Sequence, residues 1–384
     1  MINFKIIYKV IGSLLFIEAI MMLYSLCVSL YYKEDDIMAF VISIAITVTT
    51  AIGLKYKGYH AENSMGRRDA YLLVTLTWVI FSILGALPFV ISGYIPSFTD
   101  AFFETMSGFT TTGATIIDDV ESLPHGLVFW RSMTHWIGGL GIVFFTIAIL
   151  PSLVGGSMKV FSAEATGPIK TKMHPRLSTN AKAIWAVYLL LTVGCAASFY
   201  VAGMSLFDCL NYSMSITATG GFAPHNSSTG HFHSAVIDYI SIIFMFLSGT
   251  NFTLLYLSLF KGKIKSVVKD AELKFYFCVV ALATAGIMFF LIKDLNYNLA
   301  DSLRYALFQV VAFITTTGIF NADAGKWPHI TWVILSICMF VGACAGSTSG
   351  GFKCIRSVIL LKIIKNEFRH IIHPKAVLPV KISN

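Results

Sequence analysis

Charged side chains are scarce in this sequence. Asp, Glu, Lys and Arg make up 12% of its 384 residues, about half the share usual in soluble domains. Hydrophobic residues make up 56% and the mean hydropathy is +0.74, which excludes an ordinary soluble domain and points to a polytopic membrane protein. Lys and Arg are absent from residues 93–125 and again from 204–233. The net charge of +8 therefore forms no basic face for nucleic acid. The seven cysteines, Cys27, Cys195, Cys209, Cys278, Cys338, Cys344 and Cys354, contain no CxxC pair and lie mostly in apolar stretches. Neither a disulfide framework nor a zinc site is expected. Walker, HExxH and phosphorylated-aspartate signatures are also lacking, and no cofactor is expected.

What is present is a series of long apolar runs, near residues 10–30, 37–54, 71–92, 126–151, 183–203, 234–260, 273–292 and 329–364, the last interrupted. Each matches the length needed to cross about 30 Å of hydrocarbon, so eight crossings are expected. The first run has no cleavage site and reads as a spanning helix. Basic residues cluster at 54–69, 153–182, 261–274 and from Lys353 onward. By the positive-inside rule these are cytoplasmic and both termini face the cytoplasm.

Between the crossings after the first hairpin stand three segments too apolar for plain loops and too short to span. Aligned on glycine they read Thr110-Thr111-Thr112-Gly113, Thr217-Ala218-Thr219-Gly220 and Thr315-Thr316-Thr317-Gly318. Nine residues before each glycine is a polar side chain, Glu104, Asn211 or Gln309. This is a threefold repeat of helix, re-entrant pore segment and helix, divided as 70–160, 161–270 and 271–384 after an N-terminal hairpin over 1–69. The fold class expected is all-α, with these units arranged around a central ion pore. Non-helical backbone at membrane depth survives where it is buried in protein or lines water. Carbonyl oxygens on such a segment can replace the hydration shell of a potassium ion. The threonines are expected to hold an extended backbone, and their hydroxyls to satisfy neighbouring backbone groups. Glu104, Asp118, Asp119 and Glu121 are expected to form an acidic vestibule.

The stretches "SGFTTTGA", "HWIGGLGI", "TATGGF", "FITTTGIF" and "GACAGSTSGGFKCIR" resemble the TrkH branch of the Trk/Ktr/HKT potassium transporter superfamily over the whole chain. The resemblance implies that Gly113, Gly220 and Gly318 are filter glycines. The two residues before each, Thr111 and Thr112, Ala218 and Thr219, Thr316 and Thr317, would supply carbonyls to K⁺, the transported ion and the only metal expected. It implies a gate in the interrupted last span, formed by Gly342, Gly346, Ser347, Thr348, Ser349, Gly350 and Gly351, with Lys353 and Arg356 marking the cytoplasmic return. It also implies a homodimer in the bacterial inner membrane, regulated by a cytoplasmic nucleotide-binding ring of the TrkA type. The family has a fourth pore unit that these residues do not contain, and "HPKAVLPVKISN" resembles the linker leading into it. A truncated form of a longer chain is therefore expected.

Three further residues sit in apolar surroundings. Arg131 is expected to snorkel or to pair with a vestibule acid, and His135 to be a hydrogen-bonded interior histidine; Glu18 has no evident partner. Gly138, Gly139 and Gly141 are expected to allow close helix packing. The function expected is potassium uptake and not enzymatic catalysis. A membrane enzyme with His and Cys metal ligands finds no motif to support it. A non-conducting assembly or sensor subunit stays open because the fourth unit is absent.

Overall fold

A computed structural model describes residues 2–61, 65–141 and 177–372. They are helical apart from loops and turns, and fall into two compact units, one ending at Ser228 and the other beginning at Thr229. The division expected at residues 160 and 161, most of the basic loop at 153–182, and the tail from residue 373 lie outside the described residues.

The first unit opens with α1 (Phe4–Tyr32) and α2 (Ile37–Lys57), the N-terminal hairpin. Several of their hydroxyls are satisfied within their own helix. Ser43 and Thr47 donate to the carbonyls of Ala39 and Ser43, at 2.7 and 2.8 Å, as hydroxyls in apolar helices do. The two helices cross closely where side chains are missing. A Cβ on Gly12 would stand 2.8 Å from the Ala51 carbonyl oxygen and 2.9 Å from the Lys55 nitrogen. Helix α3 (Arg67–Gly85) continues into α4 (Leu87–Ser92) with Pro88 in the first turn. The short α5 (Phe98–Phe109) follows, then α6 (His125–Gly139), α7 (Leu177–Val201) and a second short helix, α8 (Leu206–Ala218). Ser97 caps α5 and Ser205 caps α8, each accepting the backbone N–H three residues on, at Asp100 and Asp208. Such caps satisfy one of the orphan donors of a helix start.

The second unit contains α9 (Ala235–Ser248), α10 (Phe252–Leu259), α11 (Ile264–Val268) and α12 (Ala271–Leu295). It continues with a third short helix, α13 (Leu299–Ile314), then α14 (His329–Val341) and α15 (Cys354–Ile372). Asp270 caps α12 by accepting the Glu272 and Leu273 N–H groups, both at 3.0 Å.

Among the described residues, five helices are long and apolar enough to cross a membrane: Phe4–Tyr32, Ile37–Lys57, Arg68–Ser92, Ala181–Val201 and Ala271–Leu295. The expected single crossing over 234–260 is instead two helices, α9 and α10, bent by 105°. The break falls at Gly249-Thr250-Asn251, where Asn251 leaves the helix to cap α10 through the Thr253 N–H at 2.8 Å. Of the expected crossing at 126–151, the described part is α6, and the remainder lies outside the described residues.

Gly12→Leu is expected to lower stability by about 1–3 kcal/mol through overpacking, because the added side chain meets α2 backbone. Thermal unfolding of the purified protein in detergent, compared with Gly53→Leu, checks this; Gly53 has open space around it.

Candidate ion site

The three short helices end in one backbone form. Thr111, Thr219 and Thr316 have φ values of 53°, 54° and 55°, and the glycines two residues later, Gly113, Gly221 and Gly318, have 74°, 98° and 79°. Between them Thr112, Gly220 and Thr317 each donate an N–H to a carbonyl five residues back, at Ser107, Ser215 and Ala312, all at 2.9 Å. This is the left-handed helix end that glycine usually supplies. Threonine there carries a steric cost of about 1–3 kcal/mol. The expected extended threonine backbone is therefore corrected: closing off the helix end overrides β-branched preference. The expected hydroxyl bonding is found. Thr110 and Thr315 donate to Met106 and Val311 carbonyls at 2.7 and 2.6 Å and share hydrogen bonds with Thr112 and Thr317.

The same geometry shifts the second segment by one residue. Gly221, and not Gly220, matches Gly113 and Gly318, so the equivalent triplets are Thr111-Thr112-Gly113, Thr219-Gly220-Gly221 and Thr316-Thr317-Gly318. Ala218 is the last residue of α8 and precedes the triplet. The caps agree, since Ser97 and Ser205 each stand sixteen residues before Gly113 and Gly221. The first two segments touch: a Cβ on Gly113 would overlap the Gly220 carbonyl oxygen, and one on Gly220 would overlap the His135 ring.

Two of the polar side chains nine residues ahead grip the chain as it returns. Glu104 is 1% exposed; it accepts from the Thr115 hydroxyl at 3.0 Å and from the Ile116 N–H at 3.1 Å. It also pairs with Arg131 Nε at 2.9 Å. Gln309 donates to the Ala322 carbonyl at 3.2 Å. Asn211 instead donates to Phe207 in its own helix, consistent with the one-residue shift. Glu104 is thus no vestibule acid, whereas Asp118, Asp119 and Glu121 are exposed. Arg131 does not snorkel; it pairs with an acid, but with the buried Glu104 and not with an exposed one. His135 is fully buried and stacks on Phe222 at 4.0 Å, but neither ring nitrogen has a hydrogen-bond partner among the described residues. Glu18 is buried against Gly85, and its carboxyl oxygens also lack such a partner. Gly138 and Gly139 let α6 pass the ends of both short helices, because Cβ atoms there would overlap the Phe109 carbonyl and stand 2.8 Å from the Ala218 Cα.

In the second unit the interruption between α14 and α15 packs against the third segment. Gly350 donates its N–H to the Thr316 hydroxyl at 2.7 Å. Gly342 and Gly351, with φ of 68° and 78°, bring the ends of the loop together; a Cβ on Gly351 would be 2.7 Å from the Gly342 Cα. Within the loop Ser347 donates to the Cys344 carbonyl and shares a bond with Ser349, at 2.6 and 2.9 Å. The break between α9 and α10 interlocks with it: Phe252 donates to Gly346, Cys344 to Gly249, and Thr348 to Ser248, at 2.9, 3.0 and 3.2 Å. Lys353, at the point expected to be the cytoplasmic return, is enclosed by the loop. It is 4% exposed and bonds to Ser349. Glu272 is a site residue that sequence reading missed. Its Oε1 accepts N–H groups from Ala345 at 2.6 Å and Ile355 at 3.1 Å, on both limbs of the loop. An acid at the start of an apolar helix, just after a basic loop, was the signal.

Loops after the first two segments are joined by His225, whose ring lies 3.2 Å from Asp208 and 3.4 Å from Glu121. Hydrogen bonding to Asp208 leads in raising the His225 pKa above its ordinary 6.5, against partial burial, with Glu121 assisting. The stability contributed by this contact is present in full below the ordinary value and is lost as pH rises through the raised folded value. His225→Gln is expected to flatten the pH dependence of thermal stability in that interval, read by unfolding scans at stepped pH.

Similarity to known proteins follows these features. The family described as TrkH, cation transport protein, matches residues 36–384. The Trk system potassium uptake protein TrkH of Halomonas elongata is 37% identical over 385 residues, covering 99% of this chain and 80% of that protein. The protein of the same name from Escherichia coli K12 is 36% identical over 389 residues, covering 100% and 80%. The crystal structure of the potassium transporter TrkH from Vibrio parahaemolyticus superposes with a TM-score of 0.84 at 35% identity, covering 99% of this chain and 79% of that one. With the match spanning nearly the whole chain in sequence and in fold, the protein belongs to the TrkH family of cation transport proteins.

Proposed function

We propose that this protein is a potassium-uptake transporter in which each threonine–glycine segment presents backbone carbonyls to the ion in transit. The observation that carries this reading is the recurrence of one backbone form, left-handed threonine followed two residues later by a glycine of positive φ, at three segments. A carbonyl-based site selects by number and orientation of its oxygens, so a repeated backbone form is what it requires. The potassium named for the Halomonas and Escherichia relatives supports the choice of ion, and their family is one of cation transport and not of enzymes. In this reading the second segment contributes Thr219, Gly220 and Gly221. The residues from Gly342 to Gly351 form the gate, held to the third segment through Gly350 and Thr316. A membrane potential of 100 mV supplies about 2.3 kcal/mol per charge, so inward flow needs no phosphate chemistry. The bacterial inner membrane, cytoplasmic termini, a homodimer and a TrkA-type regulatory ring belong to the same proposal.

The test is rubidium uptake into proteoliposomes with sodium as competitor. Potassium-preferring uptake supports the reading, and a stable protein with no uptake favours the assembly-subunit alternative. Gly113→Ser is expected to lower the potassium-over-sodium permeability ratio, because its side chain would collide with the Gly220 carbonyl. Bi-ionic reversal potentials read the change.

Thr316→Val removes the acceptor for the Gly350 N–H while leaving the Thr316 carbonyl in place. Uptake is expected to rise with an unchanged permeability ratio. A loss of selectivity with no gain in uptake assigns the hydroxyl to the filter and not to the gate.

A further inference from the structure

Arg131 is 2% exposed and touches both pore segments of the first unit without belonging to either. Its Nε bonds Glu104 Oε1 at 2.9 Å and its Nη2 bonds the Thr115 hydroxyl at 3.3 Å. Thr115 lies two residues beyond Gly113, on the returning limb of the first segment. The guanidinium also lies over the ring of Phe222, 4.2 Å from its centroid. Phe222 is the residue after Gly221, on the returning limb of the second segment, and the His135 ring stacks on it at 15°. One planar cation is therefore bonded to one limb and packed on the other. Between those limbs Gly113 and the Gly220 carbonyl are in direct contact.

We propose that Arg131 is a positioning residue that sets cation selectivity by fixing the first and second pore segments against each other. The inference rests on the reading above that these segments select potassium. It follows from what a buried ion pair does and does not provide. Desolvating two charges consumes most of their attraction, so an apolar pair of similar volume stabilises a fold about as well. The guanidinium adds directional geometry: a rigid fork that engages a carboxylate and a hydroxyl while its face packs on an aromatic ring. Lysine keeps the charge and loses the fork and the flat face.

The experiment compares wild type, Arg131→Lys, Arg131→Met and the double variant Glu104→Gln/Arg131→Met, each as the full chain in proteoliposomes. Thermal unfolding and bi-ionic reversal potentials are measured together. Arg131→Met leaves Glu104 buried without its partner and is expected to lose stability and selectivity together. The double variant removes both charges and is expected to regain most of the thermal stability. Its potassium-over-sodium ratio should nevertheless stay about tenfold below wild type, the size of effect that loss of one charge-assisted contact produces. Arg131→Lys should fall between. A double variant, or any other folded variant without the guanidinium, that shows the wild-type ratio overturns the inference and leaves the pair structural. A wild-type protein with no potassium preference overturns the potassium reading and this inference together, whereas a selective wild type with unaltered variants overturns this inference alone.

Discussion

A peptide group that leaves a helix inside hydrocarbon has no water to turn to. Each unsatisfied N–H or carbonyl there costs several kcal/mol. The described structure leaves helical form at the threonine–glycine segments and at breaks, and at each one specific groups take up the freed backbone. Threonine hydroxyls back-bond to Met106 and Val311. Glu104 receives Ile116, and Gln309 reaches Ala322. Asn251 receives Thr253, and Glu272 receives both Ala345 and Ile355. These polar residues of an otherwise apolar chain are placed by this requirement.

That constraint also explains why the threonine–glycine segments resemble one another more in backbone than in sequence. The second segment has neither the triple threonine nor an acid nine residues before its matching glycine, yet it closes its helix with the same five-residue hydrogen bond. Ser215 adds a side-chain bond to the Gly221 N–H at 3.1 Å, a local substitute for hydroxyls that the other segments carry within their triplets. Different side chains thus hold one trace. In the second unit the third segment, the α9–α10 break and the glycine-rich loop share partners, and Gly249 lies where Thr315, Tyr276 and Ala343 converge.

Much of this was legible in the residues. The apolar runs, the repeated Thr/Gly segments and the interruption before Lys353 announce themselves through composition and spacing, and the helix class follows. Three features were hidden. "TATGG" offers two adjacent glycines, and nothing in their identity says which takes positive φ; the Ser-x-x-Asp caps at Ser97 and Ser205 held the register. Hydropathy over 234–260 cannot see a bend, although Gly249 and Asn251 in mid-span hinted at one. The roles of Glu272 and Lys353 depend on partners distant in sequence or enclosed by the loop fold, which periodicity does not report.

The interlock between the two breaks has a consequence for biosynthesis. Thr348 bonds Ser248 across 100 residues of chain, and Cys344 bonds Gly249 over a similar separation. Ribosomes add about 5–20 residues per second, so the earlier break waits roughly five to twenty seconds for the residues that complete it. During that interval its open carbonyls need water or an insertion machinery beside them. The bent helix pair therefore cannot settle into lipid as an independent hairpin; its insertion is a deferred event, timed by the arrival of the glycine-rich loop.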